Sequence, residues 1–144
     1  MKKVALAKVF ARPLEQLNPE RALAEAMRQH RQDIIDVQQD QMYSGVESTG
    51  SPIEPFYSHF TKQIKEEKGQ PTDRVTLKDT SSFYNKMRTK TTQKQTEVTS
   101  SDSKTGELVE KYSENIFGLT PANTNTVGQW VKPTFQKIIK NQLK

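Results

Sequence analysis

The side chains that most often carry catalysis are scarce in this chain of 144 residues, which contains two histidines and no cysteine. Without cysteine, thiolate nucleophiles, thiolate metal ligands and disulfides are all absent. His30 falls on an apolar stripe, which predicts a packed histidine with satisfied hydrogen bonds. His59 follows Tyr57-Ser58 too closely to form a Ser–His pair with that serine, so we expect it on the surface or in packing. Two scattered histidines offer zinc no credible ligand set.

Phosphate-binding loops and acidic clusters are equally weak signals. The six glycines form neither GxGxxG nor GxxxxGK. Asp33, Asp36 and Asp40 recur at helical spacing, which suits a cation site, but Arg28 and Arg31 lie beside them and favour a solvated helix face. We therefore predict no enzyme, no metal and no cofactor. A hydrolase would need an activity that depends on His59 or Asp79, and we expect none.

The residues that point to a partner are basic. Lys86, Arg88 and Lys90 alternate along a segment predicted to be extended, so they project from one face about 7 Å apart, and Lys94 follows them. This spacing is close to that of successive phosphates along a nucleic-acid strand. The alternative is an ordinary solvated sheet face, or a charged edge strand that discourages aggregation. Apart from Tyr84, no aromatic residue lies among these cations to stack on a base. Any nucleic-acid contact would therefore be non-specific contact with the backbone.

The composition describes a small, polar, slightly basic chain. The formal net charge is +5 and the mean hydropathy is −0.86. Leu, Ile, Val and Phe account for 30 of the 144 residues, just above the level of roughly 20% below which chains become candidates for disorder. We expect a small core, with the most polar segments, 1–18, 44–55 and 92–106, ordered by neighbouring subunits.

Membrane insertion and secretion are not predicted. Lys8 interrupts the first apolar run, which leaves it shorter than the roughly 7–15 apolar residues of a signal-peptide core. No stretch approaches the roughly 20 apolar residues of a membrane span. We expect a soluble protein that begins in the cytoplasm.

Helical elements follow from capping signals and periodicity. Asn18-Pro19-Glu20 predicts a helix start, and apolar residues at alternating three- and four-residue spacings predict one helix that runs to about Met42. Phe56, Phe60 and Ile64 are four residues apart, which predicts a short helix that stops by Gly69. Later helices are predicted over 107–115 and from Thr120-Pro121 onward, with a kink near Gln129 or a restart at Pro133.

Extended segments are predicted between these helices. Arg74–Lys78 alternates as a strand with Val75 and Leu77 inward. The stretch 83–92 is predicted to be extended and to pair with 96–100 as a hairpin across Gln93-Lys94. The whole predicts an N-terminal arm, 1–18, and a single α+β domain, 19–144, in which a long N-terminal helix packs on a small antiparallel sheet with C-terminal helices.

Several short motifs occur in an order and spacing that resemble small virion proteins of tailed bacteriophages. They are IIDVQQDQMYSG at 34–45, Gly50, PFY at 55–57, Thr61, VTLKDTSSFY at 75–84 and NIFGLTP at 115–121. The resemblance spans roughly residues 30–140. It is nearest to proteins of Bacteroides-infecting phages, including the crAss-like group, and more distant to the tail-completion or virion-morphogenesis proteins of siphophages. One departure is Ser81, which stands where such proteins usually have glycine in the turn after Asp-Thr.

The resemblance implies a structural virion protein without catalysis. It implies a homo-oligomeric ring in the phage neck, assembled in the host cytoplasm, that joins portal or adjoining neck and tail proteins and encloses the genome channel. In such a ring the stripe of Lys86, Arg88, Lys90 and Lys94 would face DNA. Residues 1–18 match nothing in the family, and we expect them to reach a neighbouring subunit. The alternative function is a free, non-specific nucleic-acid-binding protein.

Overall fold

The computed structural model describes residues 17–143 of the chain. Within them the fold is α+β, as predicted. The elements in chain order are α1 (Pro19–Gln29), α2 (Arg31–Tyr43), α3 (His59–Glu67), α4 (Ser82–Asn85), β1 (Met87–Thr91), β2 (Thr96–Ser100), α5 (Thr105–Tyr112), a 3-10 turn (Glu114–Ile116) and α6 (Pro121–Gln142). Of the predicted N-terminal arm, residues 1–16 lie outside the described residues.

The predicted single helix from Pro19 to about Met42 is divided into α1 and α2 by a break at His30. The start is confirmed, because the Asn18 side chain accepts a hydrogen bond from the Arg21 backbone N–H and Pro19 occupies the first turn. His30 has φ −98° and ψ 15°, outside helical geometry. Its Nδ1 lies 2.8 Å from Asp33 Oδ2 and its Nε2 lies 2.8 Å from Thr134 Oγ1 on α6. The prediction of a packed, hydrogen-bonded histidine is confirmed.

The predicted hairpin is confirmed, and its first strand is shorter than predicted. β1 and β2 pair antiparallel, with Met87 opposite Ser100 and Thr91 opposite Thr96. The prediction that the extended segment begins at Phe83 is wrong, because Ser82–Asn85 forms the short helix α4. That turn buries both Phe83 and Tyr84, so Tyr84 does not share an outward face with the basic residues.

The predicted strand at Arg74–Lys78 is wrong, although Val75 and Leu77 are buried as predicted. Thr76 between them is buried too. Its N–H donates to the Tyr57 hydroxyl at 2.9 Å, and its C=O accepts from the Tyr84 hydroxyl. Tyrosine hydroxyls thus satisfy the backbone groups that a neighbouring strand would otherwise pair. Burial raises the pKa of Tyr84, which keeps the donating hydroxyl protonated.

The last two helices differ from the predictions at their ends. α5 occupies Thr105–Tyr112 rather than 107–115, and a 3-10 turn follows it. α6 begins as predicted, since the Thr120 side chain accepts from the Asn123 backbone N–H and Pro121 stands at the first position. α6 runs through Pro133 without interruption, so the predicted restart there is wrong.

Two apolar clusters form the core of the described residues. The first surrounds Met42, Ile53, Val75 and Ile116 between α2, α4 and the loops that pack on them. The second joins α1 and α2 to β2 and α6, and its buried members are Ala26, Ile34, Val98, Val127 and Val131.

Two buried glutamines on α2 bind the backbone of the segment that leads into α6. The Gln38 amide donates to the Ile116 C=O at 3.3 Å and accepts from the Gly118 N–H at 2.8 Å. The Gln41 amide donates to the Gly118 C=O at 2.9 Å and accepts from the Thr120 N–H at 2.9 Å. Each side chain uses both its donor and its acceptor on the backbone of one connecting segment. That segment therefore has a fixed position against α2, and α6 starts from it.

We expect Gln38→Leu to lower the free energy of unfolding by about 2–4 kcal/mol, because it leaves a buried N–H and a buried C=O without partners. Urea unfolding followed by circular dichroism measures the change. Gln32→Leu, an exposed position on the same helix, is the matched control and should change stability by about 0.5 kcal/mol or less. Equal effects of the two substitutions would contradict the role given to Gln38.

Candidate nucleic-acid interface

The hairpin presents part of the predicted basic stripe to solvent. Arg88 and Lys90 are exposed on the outer face of β1, while Met87 turns inward, as strand alternation predicts. Lys94 is exposed in the turn, where its backbone N–H donates to Thr92 Oγ1 at 3.3 Å. Three of the four predicted cations therefore lie on the exposed surface of one hairpin.

Lys86 differs from the other three because it precedes β1 and lies beside an acidic group. Its ammonium is 3.6 Å from Asp102 Oδ1. Asp102 is buried, and it accepts hydrogen bonds from the Ser82 hydroxyl at 2.7 Å and from the Lys104 backbone N–H at 3.1 Å. These contacts, with that of Ser82 the strongest, hold the pKa of Asp102 below its usual value. The positive charge of Lys86 is partly neutralised by this ion pair.

Lys90 also faces an acidic residue. In the register of the hairpin it lies directly opposite Glu97, which is exposed on the same face. Directly opposite residues in an antiparallel pair lie close enough for opposite charges to attract. The outer face of the hairpin is therefore less basic than the sequence of β1 alone indicates.

A second basic surface, which the sequence analysis missed, is a groove of about 280 Å³ between α3, α5 and the loop before α4. We call it the lysine groove. Its lining includes five lysines, Lys65, Lys68, Lys78, Lys104 and Lys111, together with two aspartates, Asp79 and Asp102. The Lys68 ammonium lies 2.8 Å from Asp79 Oδ1, and this contact is the main reason why the pKa of Asp79 lies below its usual value.

Several of these lysines lie over tyrosine rings. The Lys65 ammonium is 4.7 Å from the Tyr57 ring centre, and the Lys78 ammonium is 5.4 Å from the Tyr84 ring centre. Such cation–π contacts fix the stems of the lysines without neutralising their charge. The helical spacing of Lys65 with Lys68, and of Lys104 with Lys111, is visible in the sequence. That α3 and α5 face each other across one groove is a tertiary fact that no local spacing encodes.

The remaining candidate residues are His59 and the three aspartates of α2, for which the sequence favoured surface positions. His59 is exposed at the start of α3, and Asp33, Asp36 and Asp40 are exposed on α2. Over residues 17–143, no group of three or more histidine, aspartate or glutamate side chains is placed to hold a metal ion. None of the helices in that part of the chain is both long and apolar enough to cross a membrane.

Comparison of the chain with family models, with curated proteins and with solved structures finds no match.

We expect Asp102→Asn to weaken the pH dependence of the free energy of unfolding at acid pH. The folded pKa of Asp102 is depressed, so the unfolded chain binds this proton more readily. The stabilisation is present above the unfolded pKa of about 3.9 and is lost as the pH falls through the folded value. Urea unfolding at a series of pH values between about 2 and 7 measures the slope.

Lys86→Gln separates the two contributions to this effect. It removes the ion pair but leaves the hydrogen bonds from Ser82 and Lys104, so most of the acid-dependent loss should remain. If the native chain and Asp102→Asn lose the same stability as the pH falls, the role given to Asp102 is contradicted.

Proposed function

We propose that this chain is a structural virion protein whose copies form a closed ring in the neck of a tailed phage, between portal and tail. The ring encloses the channel through which the genome passes, and the role is architectural rather than catalytic. The ordered motifs at 34–45, 75–84 and 115–121 support this proposal through their resemblance to small phage virion proteins.

The observation that carries the proposal is the apolar surface that the described part of the chain leaves exposed on and before α3. Phe56, Phe60 and Ile64 are 59%, 69% and 37% exposed. Large apolar side chains grouped in this way are typical of surfaces that another protein covers. A ring built from head-to-tail contacts needs two different surfaces of this kind on each subunit.

A groove beside α6 supplies the second surface. It has a volume of about 860 Å³ and runs between α6, β2 and the segment that joins α5 to α6. We call it the α6 groove. Its apolar lining includes Leu23, Met27, Val109, Phe117, Leu119 and Phe135. Two unlike apolar surfaces on each subunit suit heterologous assembly, in which each surface contacts a different part of an adjacent subunit.

In this ring the outer face of the hairpin lines the channel. Arg88, Lys90 and Lys94 would then meet the phosphates of packaged DNA without reading its sequence. Repetition of the hairpin around the ring multiplies a modest basic surface. The weak net charge of one subunit is therefore compatible with a DNA-retaining channel.

The test is the oligomeric state of the purified full-length chain at increasing concentration, measured by light scattering and cryo-electron imaging. We expect closed rings with one axial channel. Open filaments, or monomers at every concentration with and without DNA, would contradict the proposal. Salt-sensitive DNA binding by a chain that remains monomeric would favour the alternative, a free non-specific nucleic-acid-binding protein.

We expect the triple variant Arg88→Gln, Lys90→Gln and Lys94→Gln to fold and assemble normally but to bind duplex DNA with a weaker dependence on salt. The slope of log K against log salt should decrease in magnitude by about 2–3, since three phosphate contacts are lost. Lys86 is left unchanged because its removal would leave the Asp102 carboxylate without its ion pair. Filter binding at several salt concentrations measures the slope.

A matched triple variant removes three exposed cations from α3 and α6, Lys62, Lys137 and Lys140. It changes the net charge equally and should leave the slope nearly unchanged. An equal loss in both variants would show that total charge, rather than the hairpin face, governs DNA binding.

A further inference from the structure

We propose that the α6 groove receives the N-terminal segment 3–10 of a neighbouring copy of this chain, which adds to the free edge of β2 as a third strand. This inference rests on the proposed ring and names the surface through which adjacent subunits join.

Within residues 17–143, the hydrogen-bond register of the hairpin leaves one edge of β2 unpaired. The Ser101 N–H donates to the Lys86 C=O, and the Thr92 N–H donates to the Gln95 C=O. Between these bonds, the alternation of an antiparallel ladder turns the backbone groups of Glu97 and Thr99 toward β1 and those of Thr96 and Val98 away from it.

Within residues 17–143, the backbone N–H and C=O groups of Thr96 and Val98 form no hydrogen bond on that side. The open edge ends at Ser100, whose C=O accepts from the Thr105 hydroxyl at 3.1 Å. Thr96 and Val98 therefore offer two donors and two acceptors in a row, the arrangement that an extended peptide pairs with when it adds to a sheet.

This open edge lies in the α6 groove. Four consecutive residues, 96–99, line it, and since side chains of a strand alternate between its two faces, a continuous run of this kind indicates that the backbone edge itself forms the wall. The rest of the lining is largely apolar and is supplied by α1, α5 and α6. Glu97 and Glu114 also line the groove, and Lys132 is the basic residue there.

The sequence of the N-terminal segment suits a strand that pairs with this edge inside the groove. In an extended chain Val4, Leu6 and Phe10 share one face with Lys8, and Ala5, Ala7 and Val9 share the other face with Lys3. Each face therefore offers three apolar side chains and one ammonium group to the groove. Lys2, Lys3 and Lys8 are complementary in charge to the two glutamates in the groove lining.

The length of the segment allows it to leave its own subunit. Asn18, at the start of α1, donates its backbone N–H to Gln142 Oε1 near the end of α6. From Gln142 to Phe135 at the groove is about 10 Å along the helix, and the groove extends about 16 Å further to Thr124. Residues 1–16, when extended, reach about 50 Å, roughly twice the distance needed to fill their own groove.

Cross-linking tests the proposal directly, because the chain contains no cysteine and every introduced thiol is unique. Leu6→Cys in one full-length chain and Thr96→Cys in a second, size-tagged chain are mixed and treated with a short bismaleimide. We expect a cross-linked product that contains one chain of each kind. Asp36→Cys, at an exposed position on α2 outside the groove lining, replaces Thr96→Cys as the control and should give little product.

A glycine in the lining allows the groove to be blocked without damage to the fold. Gly128 lies on α6, and a Cβ built there meets no atom within 4 Å. Gly128→Leu should therefore preserve or raise thermal stability, since leucine favours helix more than glycine does. It should also reduce the cross-linked product by about tenfold or more, because the added side chain occupies the groove.

Gly106→Leu is the matched control, since Gly106 is also helical with open space around it but does not line the groove. It should leave the yield of cross-link unchanged.

The outcomes separate this inference from the proposed ring. An intrachain cross-link in place of the interchain one, in a double variant that carries both cysteines and is held at the concentration at which rings assemble, would overturn the inference, because the segment would then fill its own groove. Rings that form without cross-linking would overturn it too and leave the ring proposal intact. Cross-linking that builds only open chains would support the docking surface and contradict the closed ring.

Discussion

The fold depends on the contact between α2 and the segment that leads into α6. Gln38 and Gln41 are buried on α2, and their amides satisfy backbone groups from Ile116 to Thr120. Gln41 Oε1 also accepts from Asn123 Nδ2 at 2.8 Å, which extends the contact into the first turn of α6. A buried amide with unfilled hydrogen-bonding capacity is costly, so this arrangement tolerates little displacement. The direction of α6, and with it one wall of the α6 groove, follows from these two side chains.

Sequence reasoning succeeds where local chemistry decides the structure. Asn18-Pro19 and Thr120-Pro121 combine a capping side chain with a preorganised proline, and both begin helices as predicted. The hairpin is likewise local, since its two strands alternate and are joined by a short turn. The failures occur where a distant group competes with the local pattern. His30 breaks a periodic helix because its ring bonds to Thr134 on α6, more than 100 residues away in the chain.

The same limit applies to the candidate interface. Alternation along β1 correctly predicts that Arg88 and Lys90 share an exposed face. Alternation alone does not predict that Glu97 lies opposite Lys90, which depends on the register of the hairpin, or that Asp102 lies beside Lys86, which depends on how the chain packs after β2. The segment at 74–78 fails for a related reason, since its apolar residues alternate as in a strand but tyrosine hydroxyls take the backbone bonds. The lysine groove also depends on tertiary structure, because α3 and α5, which are distant in the chain, both line it.

The hairpin connects the two proposals physically. A two-stranded sheet is marginal on its own, and within residues 17–143 this one is held by Met87 in the first apolar cluster, by Val98 in the second and by the Ser100 hydroxyl on the Phe83 C=O. A third strand from a neighbouring subunit would satisfy the open edge of β2 and cover apolar groove lining at the same time. The cations on β1 would then lie on a three-stranded sheet that is more rigid than the two-stranded one. In such a ring the sheet that carries the cations would gain its third strand only as the subunits join, so assembly would precede the strongest DNA contact.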